Sequence, residues 1–113
     1  MKKLLVVTAL ALAMIAGAGA PAEARESGYR CVFAESGVYS VFYGSDVTPG
    51  ACRAAHHGFG RRVSRAFGRT YCVFGYDAMD IKVAIRSTSA ARGRIFCAGL
   101  DALLPARGWY RVR

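Results

Sequence analysis

Acidic side chains are scarce in this chain: seven Asp and Glu stand against sixteen Lys and Arg, a formal net charge of +9. Lysine is nearly missing as well. Lys82 is the one lysine beyond Lys3, so arginine carries the positive charge. Histidine is confined to the adjacent pair His56-His57. No Cys-x-x-Cys pair exists to depress a thiol pKa, so the four cysteines do not read as a redox centre. No Gly-x-Ser-x-Gly, His-Glu-x-x-His or phosphate-loop pattern occurs either, which removes the motif-bearing hydrolases and nucleotide binders.

What is present starts with the first residues. Met1-Lys2-Lys3 is a short cationic start, Leu4 to Ile15 is an apolar run, and Ala22-Glu23-Ala24 is an A-x-A pattern before Arg25. This is the layout of a cleaved secretory signal peptide over residues 1–24. Leu4 to Ala20 falls short of the roughly 20 residues a spanning helix needs, and it ends at Pro21. No cysteine follows closely enough for a lipoprotein, and there is no twin-arginine pair. Residues 25–113 are therefore expected to be one extracytoplasmic domain, periplasmic or secreted, with no transmembrane segment after cleavage.

In an oxidising compartment, Cys31, Cys52, Cys72 and Cys97 form an even set that can pair. A chain this short buries only about 60–65% of its unfolded surface. Two disulfides closing loops of about 20–25 residues could each add roughly 3 kcal/mol. The cysteines accordingly read as structural staples.

The chain repeats itself at low resolution. Tyr29-Arg30-Cys31-Val32-Phe33 resembles Thr70-Tyr71-Cys72-Val73-Phe74, and Trp109-Tyr110-Arg111-Val112-Arg113 follows without the cysteine. Each of the first two segments reads as a strand before a short turn, at Ala34 to Gly37 and at Gly75 to Asp80. In the next strand Ile81, Val83 and Ile85 alternate with Lys82, Ala84 and Arg86, a half-buried period of two. Val38 to Tyr43 is its counterpart, apolar on both faces. Thr48-Pro49 supplies an N-cap and a first-turn proline for a helix. Cys52, His56, Phe59, Val63 and Ala66 share one face of that helix, although Gly58 and Gly60 invite a break. A second helix begins near Ser89, presents Phe96, Leu100, Leu103 and Leu104 on one face and stops at Pro105.

These elements give β-β-α, β-β-α and a closing strand: an α+β fold, a small antiparallel sheet with two helices on one face. Cys31–Cys52 with Cys72–Cys97 is the favoured pairing, because it ties each helix to its own hairpin. The crossed pairings would tie the two halves together instead. In the closing strand the repeat alignment points Arg111 inward, while the apolar pattern prefers Tyr110 and Val112.

The densest feature is Arg61-Arg62-Val63-Ser64-Arg65-Ala66-Phe67-Gly68-Arg69. As a helix it stacks Arg61, Arg65 and Arg69 on one face, with Arg53 and His57 continuing the row and Phe59, Val63 and Phe67 turned toward the core. Arginine forks hold phosphates and carboxylates bidentately. Arg53, Arg61, Arg62, Arg65 and Arg69, with Lys82 and Arg86 on an exposed strand face, form the candidate anion-binding set. An anionic cell-envelope surface or polymer is the expected partner. The plainer alternative is an ordinary solvated face in an arginine-rich composition.

Cys52 and His56 stand at metal-ligand spacing, but a paired Cys52 has no thiolate to give, so no metal and no cofactor is expected. Asp77 to Asp80 reads as turn chemistry. Arg69 to Tyr76 shares only Arg69, Tyr71 and Tyr76 with the aromatic RNA-binding strand pattern, and specific nucleic-acid binding is not expected. The leading expectation is a non-enzymatic binding protein. A protein-interaction module or inhibitor using Tyr39, Phe42 and Tyr43 is the alternative, and a small hydrolase using His57 and arginines comes third.

Overall fold

The computed structural model describes residues 28–55 and 60–113. The proposed signal peptide, residues 1–24, and the pair His56-His57 lie outside the described residues, as does Phe59. Six strands form one antiparallel sheet: β1 (Cys31–Glu35), β2 (Val38–Tyr43), β3 (Arg61–Val63), β4 (Arg69–Tyr76), β5 (Lys82–Ser87) and β6 (Trp109–Arg111). Their order across the sheet is β3-β1-β2-β5-β4-β6. Helix α1 (Pro49–Ala55) follows β2, and α2 (Ala90–Leu103) follows β5, leading through a 3₁₀ turn at Pro105–Arg107 into β6. Among the described residues no helix is long and apolar enough to cross a membrane.

Local chemistry sets the boundaries. Glu35 pairs with Val38, which leaves a two-residue hairpin loop, Ser36-Gly37, with φ of 55° and 79°. Two left-handed residues match the twist of the flanking strands. Thr48 Oγ1 accepts a hydrogen bond from Ala51 N at 3.1 Å, and Ser89 Oγ accepts one from Arg92 N at 3.3 Å, so both helices start where the capping residues place them.

Alternation along the strands then builds the core. Cys31, Phe33, Phe42, Cys72, Phe74, Val83 and Ile85 point to the helix side and meet Ala51, Cys52, Cys97, Leu100 and Leu104. Fully burying a side chain of the Leu, Ile or Phe kind contributes about 1.5–3 kcal/mol. Trp109 closes the core at the β6 end, with its ring 5.0 Å from that of Tyr76. Tyr71 is the extra residue of a bulge between Thr70 and Cys72, and its ring covers Gly93 of α2. A Cβ at Gly93 would come within 2.5 Å of that ring, so only glycine fits the close approach.

The two disulfides are Cys31–Cys52 and Cys72–Cys97, one in each half. The halves repeat one plan, β1-β2-α1-β3 and β4-β5-α2-β6, around the central β2–β5 pairing. Equivalence reaches single side chains. Arg62 lies opposite Phe33 with its guanidinium 5.8 Å from the ring centroid, and Arg111 lies opposite Phe74 at 5.5 Å. Trp109–Arg111 is thus the counterpart of β3 and not a third copy of the first strand. Of the two registers left open in the sequence, Arg111 takes the helix side over Phe74 while remaining exposed itself, and Tyr110 and Val112 are 48% and 45% exposed.

One expectation fails. The first helix does not continue through the arginine cluster. It ends at Ala55, and Arg61–Val63 is an edge strand on β1. Gly60, at φ 94°, is confined there by the carbonyl of Ala34, 2.8 Å from where a Cβ would sit. Two glycines within three residues remove the propensity the arginine row needs. Val63 is half-buried on the sheet face away from the helices, and Phe67 is 48% exposed, so neither faces the core.

Candidate functional site

The sheet face opposite the helices carries a central apolar row, with Val32, Val41 and Val73 all buried. Aromatic and cationic residues flank that row. Tyr39 pairs with Arg86 across β2 and β5, and Tyr43 pairs with Lys82. On the edge strand, alternation sends Arg61 and Val63 to this face and Arg62 to the other.

Arg61, Val63, Ser64, Arg65, Phe67 and Tyr39 line a shallow groove of about 380 Å³. Phe67 meets Tyr39 edge-on, with centroids 5.7 Å apart and planes at 68°. The loop carrying Arg65 and Phe67 is fixed at its end. Arg86 Nε and Nη2 both donate to Gly68 O, at 3.0 and 2.6 Å. Gly68 has φ 86°, and a Cβ there would fall 2.1 Å from Ser87 O. Arg69, the first residue of β4 and exposed, pairs with Ser87 and sits directly after this pin.

The predicted anion-binding set therefore divides. Arg61 and Arg65 share the groove, and Arg86 adjoins it on the same face through Tyr39; Arg69 stands at the same end of the sheet, but its pairing with Ser87 turns it to the helix side. Arg62 turns to the helix side, where its Nη2 donates to Tyr29 Oη at 3.0 Å. Arg53 is exposed on α1, on the far side of the sheet. Lys82 lies at the opposite end of the strands, paired with Asp80 at 2.9 Å. The single helical stripe is thus corrected to a cluster at one end of the sheet. Among the described residues no carboxylate pairs with Arg61, Arg65 or Arg69.

Carboxylates are unevenly spread along the strands, although Arg30 and Lys82 share the acidic end. Arg61, Arg69 and Arg86 stand at the end where β2 begins and β5 finishes, with Glu35 as the acidic exception. Asp46, Asp77 and Asp80 gather at the other end. There Ser45 donates to Asp80 through its hydroxyl at 2.7 Å and its amide at 3.0 Å, and Asp46 accepts from Asp80 N at 2.6 Å. The Ser45 hydroxyl, then Lys82 and the Ser45 amide, hold the Asp80 carboxyl well below the usual carboxylate range. The same contact raises Lys82. A depressed carboxyl stabilises the fold above its unfolded value of about 4 and loses that contribution as pH falls. The group is largely exposed, so the effect is small. The parent protein should lose melting temperature more steeply between pH 5 and 3 than Asp80→Asn; parallel curves would contradict this role.

One other expectation changes. Phe42 is fully buried, so it cannot join an exposed aromatic patch, although Tyr39 and Tyr43 are only half-buried. Cys52 is committed to a disulfide, and among the described residues no group of three or more His, Cys, Asp and Glu could hold a metal. Of the groove's two rings, Tyr39 was a candidate in the sequence and Phe67 went unforeseen. Phe67 reads as core on helical spacing, and the signal against it was the glycine on each side of the segment, Gly60 and Gly68. No family model matches the chain, and neither a curated protein nor a solved structure is similar to it.

Proposed function

We propose that this is a small exported, non-enzymatic protein that binds an anionic cell-envelope surface or polymer at the arginine end of its sheet. The observation that carries this reading is the pair Arg61 and Arg65 lining an open groove, with Arg86 beside it on the same face and Arg69 at the same end of the sheet. Like charges placed together without carboxylates repel one another, and an anion relieves that repulsion. Arginine forks fit phosphate and carboxylate oxygens bidentately. Two disulfides suit an extracytoplasmic location.

Inorganic polyphosphate is a suitable test ligand because it offers charge alone. Each arginine–phosphate contact contributes roughly 0.7–0.9 to the slope of log affinity against log salt. Changing Arg61 and Arg65 to Gln should lower that slope by about 1.4–1.8 and weaken binding at 50 mM salt by at least about 10-fold. Equal affinity of parent and variant would reject the site.

A second reading, a protein-interaction module, is favoured by a different feature. Ile95 is 72% exposed beside Val38, Phe96, Ser36 and Arg92, around a groove of about 370 Å³. Aromatic, apolar and arginine side chains are typical anchors of protein interfaces. Binding of a protein partner that survives 0.5 M salt would favour that reading over the polyanion.

A further inference from the structure

Charge explains why an anion would come to this end of the sheet, but not why Phe67 is held out in water. An exposed ring on a mobile loop would be unremarked. Here the end of the loop is tied down and the ring has a neighbour. The Gly68 carbonyl takes two hydrogen bonds from Arg86, Gly68 lies tight against the Ser87 carbonyl, and Phe67 leans on Tyr39. These contacts place the ring beside the arginines, and a ring held there lowers the ordering cost of binding.

The shape of the groove narrows the ligand. Tyr39 and Phe67 stand at 68° to one another, two walls of a corner in a groove that Val63, Arg61 and Arg65 also line. A flat nucleobase stacks best on a single exposed face, and single-strand binders repeat such faces along the chain. A saturated sugar ring is thick and carries C–H groups on its faces and its edge, so a corner of two apolar walls contacts it from two sides. An acidic substituent on that ring lies within reach of a guanidinium fork. The volume of about 380 Å³ suits one or two such rings.

Building on the anion-binding function proposed above, we infer that the groove is a subsite for an acidic polysaccharide, a chain of sugar rings bearing carboxylate or phosphate groups. One ring seats in the Tyr39–Phe67 corner and its acidic group meets Arg61 or Arg65. Arg86, opposite Tyr39 on the same face, adds positive charge beside the neighbouring repeat.

The test compares the oxidised protein, Phe67→Ala and Phe67→Tyr with three polymers: polygalacturonate, polyphosphate and oligo-dT. Melting curves check that the exposed substitutions leave the fold intact. Phe67→Ala should weaken polygalacturonate binding at least 10-fold, leave polyphosphate within twofold and leave Phe67→Tyr near the parent. Equal losses on polygalacturonate and polyphosphate, or no loss on either, would overturn the ring subsite while leaving the anion site standing. A larger loss on oligo-dT than on polygalacturonate would assign the corner to a base instead of a sugar. If the parent binds none of the three, the anion-binding function fails together with the subsite.

Discussion

Replacing Cys72 and Cys97 together by serine is expected to lower the melting temperature by roughly 12–24 °C. The two cysteines are 25 residues apart in sequence. A loop of that length raises the free energy of the unfolded chain by about 3 kcal/mol on the chain-entropy model. In a domain of this size each kcal/mol moves the melting point by about 4–8 °C. The location adds to the effect. Cys97 is one of only three buried residues of α2, beside Gly93 and Leu100, so the bond anchors the helix at the centre of its core face. Serine would also leave two hydroxyls in positions only 1% and 5% exposed. Thermal unfolding followed by circular dichroism measures the shift, and a fall under about 5 °C would mean the core holds the helix without its staple.

Gly68→Ala is expected to damage both the fold and the site. At φ 86° an L-residue costs about 1–2 kcal/mol, and the new Cβ would overlap the backbone of Ser87 and Thr88. Backbone cannot rotate away as a side chain can, so the loop must shift. The expected loss is about 2–4 kcal/mol in stability. The shift would also displace the Gly68 carbonyl from Arg86 and carry Phe67 off Tyr39. Polyphosphate and polygalacturonate binding should both weaken, unlike the ring-selective effect of Phe67→Ala. Wild-type stability in Gly68→Ala would show that the loop is not pinned at this point.

Elements with a long or well-marked pattern were legible in the sequence. Ile81, Val83 and Ile85 alternate over a full strand, and all three are 1% exposed. Thr48-Pro49 and Ser89 mark helix starts by side-chain chemistry that acts locally. The disulfide pairing followed from the repeat, because a cysteine on a first strand and one on the next helix meet in each half. The arginine segment was not legible. A three-residue strand is too short to show a period of two, while arginines at i, i+4 and i+8 imitate a helical face by coincidence. Membership of β3 in the sheet depends on pairing with β1, a contact far along the chain that no local propensity encodes. The groove inherits this difficulty, since Tyr39, Arg61 and Phe67 meet only once that pairing forms. The register of β6 was left open in the sequence between Arg111 and the pair Tyr110 and Val112. The structure puts Arg111 over Phe74, because the arginine stem and guanidinium can lie on a ring while the charge reaches Asp101.

The most direct measurement is a map of backbone amide shifts in the oxidised protein as polyphosphate is added at low salt. The largest changes are expected at Tyr39, Arg61 to Val63, Ser64 to Arg69 and Arg86, with little change at Ser45, Asp46 and Asp77 to Lys82. Added salt should reverse them. Changes centred on Arg53 of α1 or on Arg92 to Phe96 of α2, or no changes at all, would contradict an anion site at the arginine end of the sheet.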